Sequence, residues 1–178
     1  MSSTTKAEPK LIAEFIAPAD SYETIIAQQK ERALNKLPVA FKVRAQHLDQ
    51  GRTDSVLAAS DGLTVRLKVY ASGGENALHA HANEDHVFIL LQGCAEFSDA
   101  EGVLASLKVN EGLLVPKGAY YCFNATGAEP LVMLRIGSPN ESALGLEGRV
   151  DTLGAFAHAD TAANKTVPVK FRAASFFG

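Results

Sequence analysis

The 178-residue sequence has little cysteine, no tryptophan and no excess of positive charge. Its two cysteines, Cys94 and Cys122, are too few for a disulfide framework, so we expect reduced thiols that serve as small packing residues. No apolar run approaches the roughly 18 residues of a membrane span. A net charge of −3 argues against nucleic acid or an anionic membrane as partner. Because MSSTTKAEPK does not resemble a secretory signal, we expect a cytoplasmic protein.

One helix is predicted within residues 20–37, where apolar side chains recur at helical spacing. Asp20 or Ser21 can cap it, and the charge of Glu23 suits the first turn. Pro38 stops it. We expect this helix to cover a sheet or another subunit.

After Pro38 the pattern shortens to a period of two, which is typical of strands. In LTVRLKVYA (63–71), Arg66 and Lys68 alternate with apolar residues, so they are expected to form a solvated face. HVFILLQ is a further strand, and AEF, SDAEG and LASLKV read as a hairpin. LLVP, AYYCF and PLVMLRI add short strands. This succession predicts an all-β sandwich or small barrel.

The chain is therefore divided into three parts. Residues 1–40 are an N-terminal extension with one helix, 41–140 are the barrel, and 141–178 are a C-terminal arm. The pattern of the arm is hard to assign, but the phenylalanines near its end indicate that it packs against something.

Three of the five histidines fall within HAHANEDH, at positions 79, 81 and 86. His79 and His81 are two residues apart, so on a strand they point to the same face. If the next strand is a neighbour, a hairpin returns His86 beside them. Three neutral imidazoles at one point suit a transition metal, whereas unrelated surface histidines are the alternative.

GENALHAHANEDHVFILLQG resembles the first motif of the cupin superfamily. Gly73 and Gly93 lie at the two glycine positions, and His79 and His81 fill the His-x-His. His86 stands where the family has a glutamate. VNEGLLVPKGAYYCFNA resembles the second motif less closely, because Tyr121 replaces the expected histidine.

The resemblance covers about residues 63–137 and implies a double-stranded β-helix, the cupin jelly-roll barrel. It implies a metal site made of His79, His81, His86 and, at the fourth corner, Tyr121. Fe2+ is favoured, with Zn2+, Ni2+ or Mn2+ as alternatives. Tyr121 has three open roles: it ligates as phenolate, it assists catalysis by hydrogen bonding to substrate or oxygen, or it only packs.

Asp85 is an alternative to His86 as ligand, but strand phase favours His86. Glu84 and Asp85 are then turn residues, or partners that orient an imidazole. His47 and His158 are expected on the surface. Arg135 is expected to be a solvated strand end, unless it faces the interior and holds an anion.

Three functions follow from this interpretation. The first is a non-haem metal-dependent dioxygenase for a small anionic or enolisable compound. The second is a metal-dependent lyase or isomerase with Tyr121 as acid or base. The third is a non-catalytic small-molecule binding cupin. The substrate is expected to be small and partly apolar, because the interior would be lined by Phe88, Leu90, Val115 and Met133. The resemblance also implies a homodimer.

Overall fold

The computed structural model describes residues 16–139 and 148–178. The helical elements in this part of the chain are α1 (Tyr22–Ala33) and a short 3₁₀ turn (Ala162–Asn164). The strands are β1 (Ala45–Gln50), β2 (Arg52–Ser60), β3 (Leu63–Tyr70), β4 (Gly73–His81), β5 (Glu84–Gln92), β6 (Ala95–Ser98), β7 (Val103–Leu107), β8 (Gly112–Val115), β9 (Tyr121–Ala125), β10 (Leu131–Pro139), β11 (Arg149–Val150) and β12 (Lys170–Phe177).

Ten of these strands form two five-stranded antiparallel sheets. The first sheet has the order β2-β3-β10-β5-β8, and the second has the order β11-β4-β9-β6-β7. The chain passes from one sheet to the other between β3 and β4, between β4 and β5, and again at later connections, so the two sheets wind together. This confirms the predicted double-stranded β-helix, including the β6–β7 hairpin.

The main apolar core lies between the two sheets. Phe88 of β5 packs there with Phe97 of β6 and Phe123 of β9, and their ring centroids are 5.2 to 6.0 Å apart. Phe88, Leu90, Val115 and Met133 all belong to this cluster. The prediction that these four line a ligand cavity is therefore wrong, because they fill the space between the sheets with side chains.

The N-terminal helix starts and packs as expected but is shorter than predicted. Oγ of Ser21 accepts a hydrogen bond from the backbone N–H of Thr24 at 3.2 Å, which makes Ser21 the cap. Tyr22 and Ile25 pack against Val56 of β2, so α1 covers a sheet edge. No helix in the described residues is both long and apolar enough to cross a bilayer.

The expectation of a solvated face on β3 is wrong. Arg66 and Lys68 are only 4% and 5% exposed, because they point to the barrel interior while Leu67 packs in an outer apolar cluster. Burial of these cations is tolerated because each has a carboxylate partner. Arg66 binds Asp54, with Nε at 2.9 Å from Oδ1, and Lys68 binds Glu75.

The two histidine-bearing strands do not form the expected hairpin. Strands β4 and β5 belong to different sheets, and the chain crosses between them after His81. The side chains at the end of β4 and at the start of β5 therefore meet across the interior of the barrel. They do not lie side by side on one sheet.

The C-terminal arm completes two edges of the fold. Strand β11 pairs with β4, and Arg149 lies opposite His81 in the register. Strand β12 pairs with β1, and Phe177 packs into the outer apolar cluster. The expected packing of the end of the arm is thus confirmed, and the arm brings Arg149 to the end of the barrel that holds the histidines.

Gly74 offers a test of the close approach between β4 and β9. A Cβ at this position would lie 2.1 Å from the backbone oxygen of Phe123, so the strands must move apart. We expect Gly74→Ala to lower the free energy of unfolding by about 2 kcal/mol or more, measured by urea denaturation.

Gly62→Ala is the matched control, because a Cβ at Gly62 meets nothing within 4 Å. We expect a change within about 0.5 kcal/mol there. Equal effects of the two substitutions would contradict the packing described for β4 and β9.

Candidate metal centre

Two pairs of side chains meet at one end of the barrel interior. His79 and His81 end β4, and Glu84 and His86 begin β5. Members of each pair are two residues apart on a strand, so each pair shares a face. The ring centroids of His81 and His86 are 4.2 Å apart, and those of His79 and His81 are 5.3 Å apart.

Within the described residues, His81, Glu84 and His86 form a group whose potential ligand atoms all lie within 4.8 Å of one another. Oε2 of Glu84 lies 3.0 Å from Nε2 of His86 and 3.9 Å from Nδ1 of His81. Both histidines are buried. Two imidazoles and one carboxylate are a donor set that suits divalent transition metals.

The hydrogen bonds of His86 fix its tautomer. Nη2 of Arg135 contacts Nε2 of His86, and because a guanidinium only donates, Nε2 must accept. Nδ1 then carries the proton and donates it to Oη of Tyr121 at 3.2 Å. Nε2 of His86 and Oε2 of Glu84 are therefore two acceptors that face each other, and both contact the guanidinium of Arg135.

This arrangement fits a metal ion. Two ligand atoms at right angles around an ion, each about 2.1 Å from it, lie about 3 Å apart, as do the facing atoms of His86 and Glu84. Nδ1 of His81 is buried and has no hydrogen-bond partner among the described residues. Burial lowers the pKa of His86 to about 3 and that of His81 well below 6.5, which keeps both rings neutral, as ligation requires.

Arg135 lies where its charge opposes such an ion. It is 3% exposed, so the expected solvated strand end is wrong and the alternative, an interior position, is observed. Its Nη2 donates to Oε2 of Glu84 at 2.7 Å. Burial alone would raise the pKa of Glu84, but the charge of Arg135 and its hydrogen bond to Glu84 hold that pKa below its usual value. Arg135 and a metal ion would therefore compete for the same acceptor atoms, Nε2 of His86 and Oε2 of Glu84.

His79 lies beside this group. Its Nδ1 donates to the backbone oxygen of Ala77 at 2.8 Å, and its Nε2 is 3.5 Å from Oε2 of Glu75. Burial lowers the pKa of His79 to about 4. Two of the predicted histidine ligands thus lie in the close group, the third lies next to it, and the ligand role of each stays a prediction.

Tyr121 is buried on β9, and its ring centroid is 4.5 Å from that of His79. Its hydroxyl contacts Nδ1 of His86, not the facing acceptor atoms. Burial raises the pKa of Tyr121 well above 10, so the hydroxyl is neutral. This geometry favours a hydrogen-bonding role over a phenolate ligand.

The remaining candidates lie outside the close group. Asp85 is exposed, and its carboxylate accepts from the backbone N–H of Lys117 at 2.8 Å. His158 is exposed as expected, whereas His47 is half-buried and hydrogen bonds to Ser175 at 2.8 Å. The two cysteines are free thiols and half-buried.

Glu84 is the residue that the sequence interpretation missed. It was expected in a turn or as an orienting partner, yet β5 begins with it. The strand phase that placed His86, Phe88 and Leu90 on one face also places Glu84 there. Extending the alternation of β5 two residues before His86 would have predicted that Glu84 points to the same side as His86.

A cavity of about 530 Å³ opens beside the centre. Its lining is rich in charge, and these buried or half-buried side chains include Arg52, Asp54, Arg66, Lys68, Glu75, His81, Tyr121, Arg135 and Arg149. Glu75 is a shared acceptor in this lining: its Oε1 accepts hydrogen bonds from Lys68 and from the hydroxyl of Tyr70, the latter at 2.8 Å. The lining also includes apolar side chains such as those of Ile25, Val169 and Phe171, so the cavity is partly apolar, as expected, although other residues line it than those predicted.

Comparison with solved structures finds partial similarity to several barrels. KdgF from Halomonas sp. has a TM-score of 0.47 and 16% identity, over 53% of this chain and 84% of the other. A double-stranded β-helix protein from Klebsiella pneumoniae has a TM-score of 0.49 and 19% identity, over 55% and 80%. The Cnp3 cupin domain of Schizosaccharomyces pombe has a TM-score of 0.47 and 19% identity, over 53% and 69%.

A scan against models of known protein families finds no match. Among curated proteins, the chain is 36% identical over 89 residues to the uncharacterized protein YdbB of Bacillus subtilis (strain 168). The match covers 49% of this chain and 71% of YdbB. This similarity shows that the chain, whose two wound sheets form a double-stranded β-helix, belongs to the family of YdbB.

Proposed function

We propose that this cupin is a metal-dependent enzyme of the non-haem dioxygenase type that acts on a small anionic or enolisable compound. The observation that carries the proposal is the buried group of His81, Glu84 and His86. Two histidines and one carboxylate with open positions are the ligand set of many non-haem Fe(II) oxygenases.

In this proposal His81, Glu84 and His86 hold the ion, and His79 is available beside them. Fe2+ is favoured, and when bound it would polarise the substrate and allow reaction with dioxygen. The residues of the cavity bind and orient the substrate. Tyr121 hydrogen bonds to Nδ1 of His86, which fixes the ring so that Nε2 faces Glu84.

A metal-dependent lyase or isomerase is the second candidate, and the position of Tyr121 favours it. Tyr121 lines the cavity and lies within hydrogen-bond reach of His86. A hydroxyl there can exchange a proton with a bound compound, whichever reaction follows. Dioxygen dependence separates the two candidates.

Metal content tests the proposed ligands directly. After loading with Fe2+ without oxygen and removal of excess ion, we expect about one equivalent in the native protein and below about 0.2 in His81→Ala, Glu84→Gln and His86→Ala. Elemental analysis measures this. His158→Ala, at an exposed histidine away from the group, is the control and should keep the ion.

His79→Ala decides between two ligand sets. We expect it to retain more metal than Glu84→Gln, because His79 lies outside the close group. Full occupancy in Glu84→Gln together with loss in His79→Ala would instead support the three-histidine site predicted from the sequence.

Oxygen consumption tests the reaction class. With Fe2+ and a panel of diketones, phenols and thiols, we expect uptake by the native protein and none above background in His81→Ala. If Tyr121 transfers a proton, Tyr121→Phe should lower the rate per bound ion on the order of 10²-fold, with metal content measured in the same sample. Uptake equal to that of His81→Ala across the panel would count against the dioxygenase, and anaerobic turnover would favour the lyase.

A further inference from the structure

Arg149 is a fully buried cation that has no role in the candidate metal centre described above. It belongs to β11 of the C-terminal arm and is only 1% exposed. It lies opposite His81 in the antiparallel register, and residues opposite each other in such a pair share a face. Its side chain therefore lines the cavity that opens beside His81.

One side of the Arg149 guanidinium is anchored and the other has no hydrogen-bond partner. Nη1 donates to the backbone oxygens of Ala157 at 2.8 Å and His158 at 2.9 Å. Nε and Nη2 are buried and donate to no group among the described residues. Among the described residues, the nearest carboxylate is that of Glu75, whose Oε2 lies 3.9 Å from Nη2.

Nε and Nη2 of Arg149 lie on the same edge of the planar guanidinium, and their N–H bonds point in parallel. That fork matches two oxygens of an oxyanion, and burial makes such a pairing strong. Leaving both donors unpaired in a buried site is costly, and native proteins avoid it unless a ligand or water completes the site.

Arg135 adds a second unpaired donor to the same cavity. Its Nη2 binds Glu84, while Nη1 is buried without a hydrogen-bond partner in the described part of the chain. Arg149 lies beside His81, and Arg135 contacts His86, so these donors border the metal centre from two strands.

Arg149 is also the lining cation with the weakest carboxylate pairing among the described residues. Arg52, Arg66, Lys68 and Arg135 each hydrogen bond to a carboxylate, whereas the closest described carboxylate oxygen to Arg149 lies 3.9 Å from Nη2.

We propose that Nε and Nη2 of Arg149, assisted by Nη1 of Arg135, form a subsite that binds a carboxylate of the substrate. The role of this group as part of a substrate rests on the proposed function, whereas anion binding itself does not require the metal. A single charge is favoured over a doubly charged phosphate, because the carboxylate of Glu75 lies 3.9 Å from Nη2 and repels added negative charge.

The test uses the full chain freed of metal by chelation, with ¹⁵N NMR of arginine side chains. Malonamate carries one carboxylate, and malonamide is its neutral counterpart. We expect malonamate to shift the assigned Nε–H resonance of Arg149 in a saturable manner, and malonamide to leave it unmoved. This measurement needs no variant, so it does not depend on whether a substitution folds.

Variants then locate the subsite. Arg149→Met should weaken malonamate binding at least tenfold, and Arg149→Lys should fail to restore it, because an ammonium lacks the fork. Arg172→Met is the control: it also removes an arginine, but Arg172 lies outside the cavity lining and pairs with Asp49 at 2.8 Å. It should retain binding within about threefold, since its removal takes away only general charge.

An unmoved Nε–H resonance, or equal malonamate affinity in native protein and a folded Arg149→Met, would overturn the proposal. Tighter binding of inorganic phosphate than of malonamate would overturn the carboxylate assignment. These measurements exclude metal, so failure to bind Fe2+ would sink the proposed enzyme without affecting the subsite, and the reverse also holds.

Discussion

Two buried carboxylates, Glu75 and Glu84, hold the charged end of the barrel interior together. Glu75 joins Lys68 of β3 to β4, and Glu84 joins Arg135 of β10 to the start of β5. Each pair replaces the hydration that its charges lose on burial. This end of the barrel can therefore be polar while the rest of the interior is filled by aromatic and aliphatic side chains. The histidines, the cavity and the unpaired arginine donors all lie at this charged end.

The competition between Arg135 and a cation follows from the same constraint. Glu84 and His86 present two acceptors 3.0 Å apart, and such a pair needs a positive group. Arg135 supplies one from the protein itself, and a metal ion would supply another. An ion bound there would compete with Arg135 for those acceptors, and the proposed substrate carboxylate would then balance the charge of Arg135. Metal and anion binding at this end of the barrel would thus be electrostatically linked.

Much of the fold could be predicted because strands and turns are local features of the sequence. Alternation in LTVRLKVYA, the hairpin around SDAEG and the cap at Ser21 each depend on neighbours in the chain, and each is observed. Burial depends on distant partners, and there the prediction failed. The alternating pattern indicated which residues of β3 share a face. It could not show that both faces are buried, or that Arg66 forms an ion pair with Asp54. Glu84 could have been found from strand phase, whereas Arg149 could not, because only the pairing of β11 with β4 brings it to His81. The homodimer and the cellular location stay predictions.

An anomalous diffraction map of crystals loaded with Fe2+ or Zn2+ would show directly whether an ion binds between His81, Glu84 and His86. We expect one strong peak in contact with His81, Glu84 and His86, at about 2.0 to 2.2 Å from each ligand atom, with Arg135 moved off Glu84. A map that shows the ion elsewhere, or shows no ion while Arg135 still binds Glu84 and His86, would contradict this expectation.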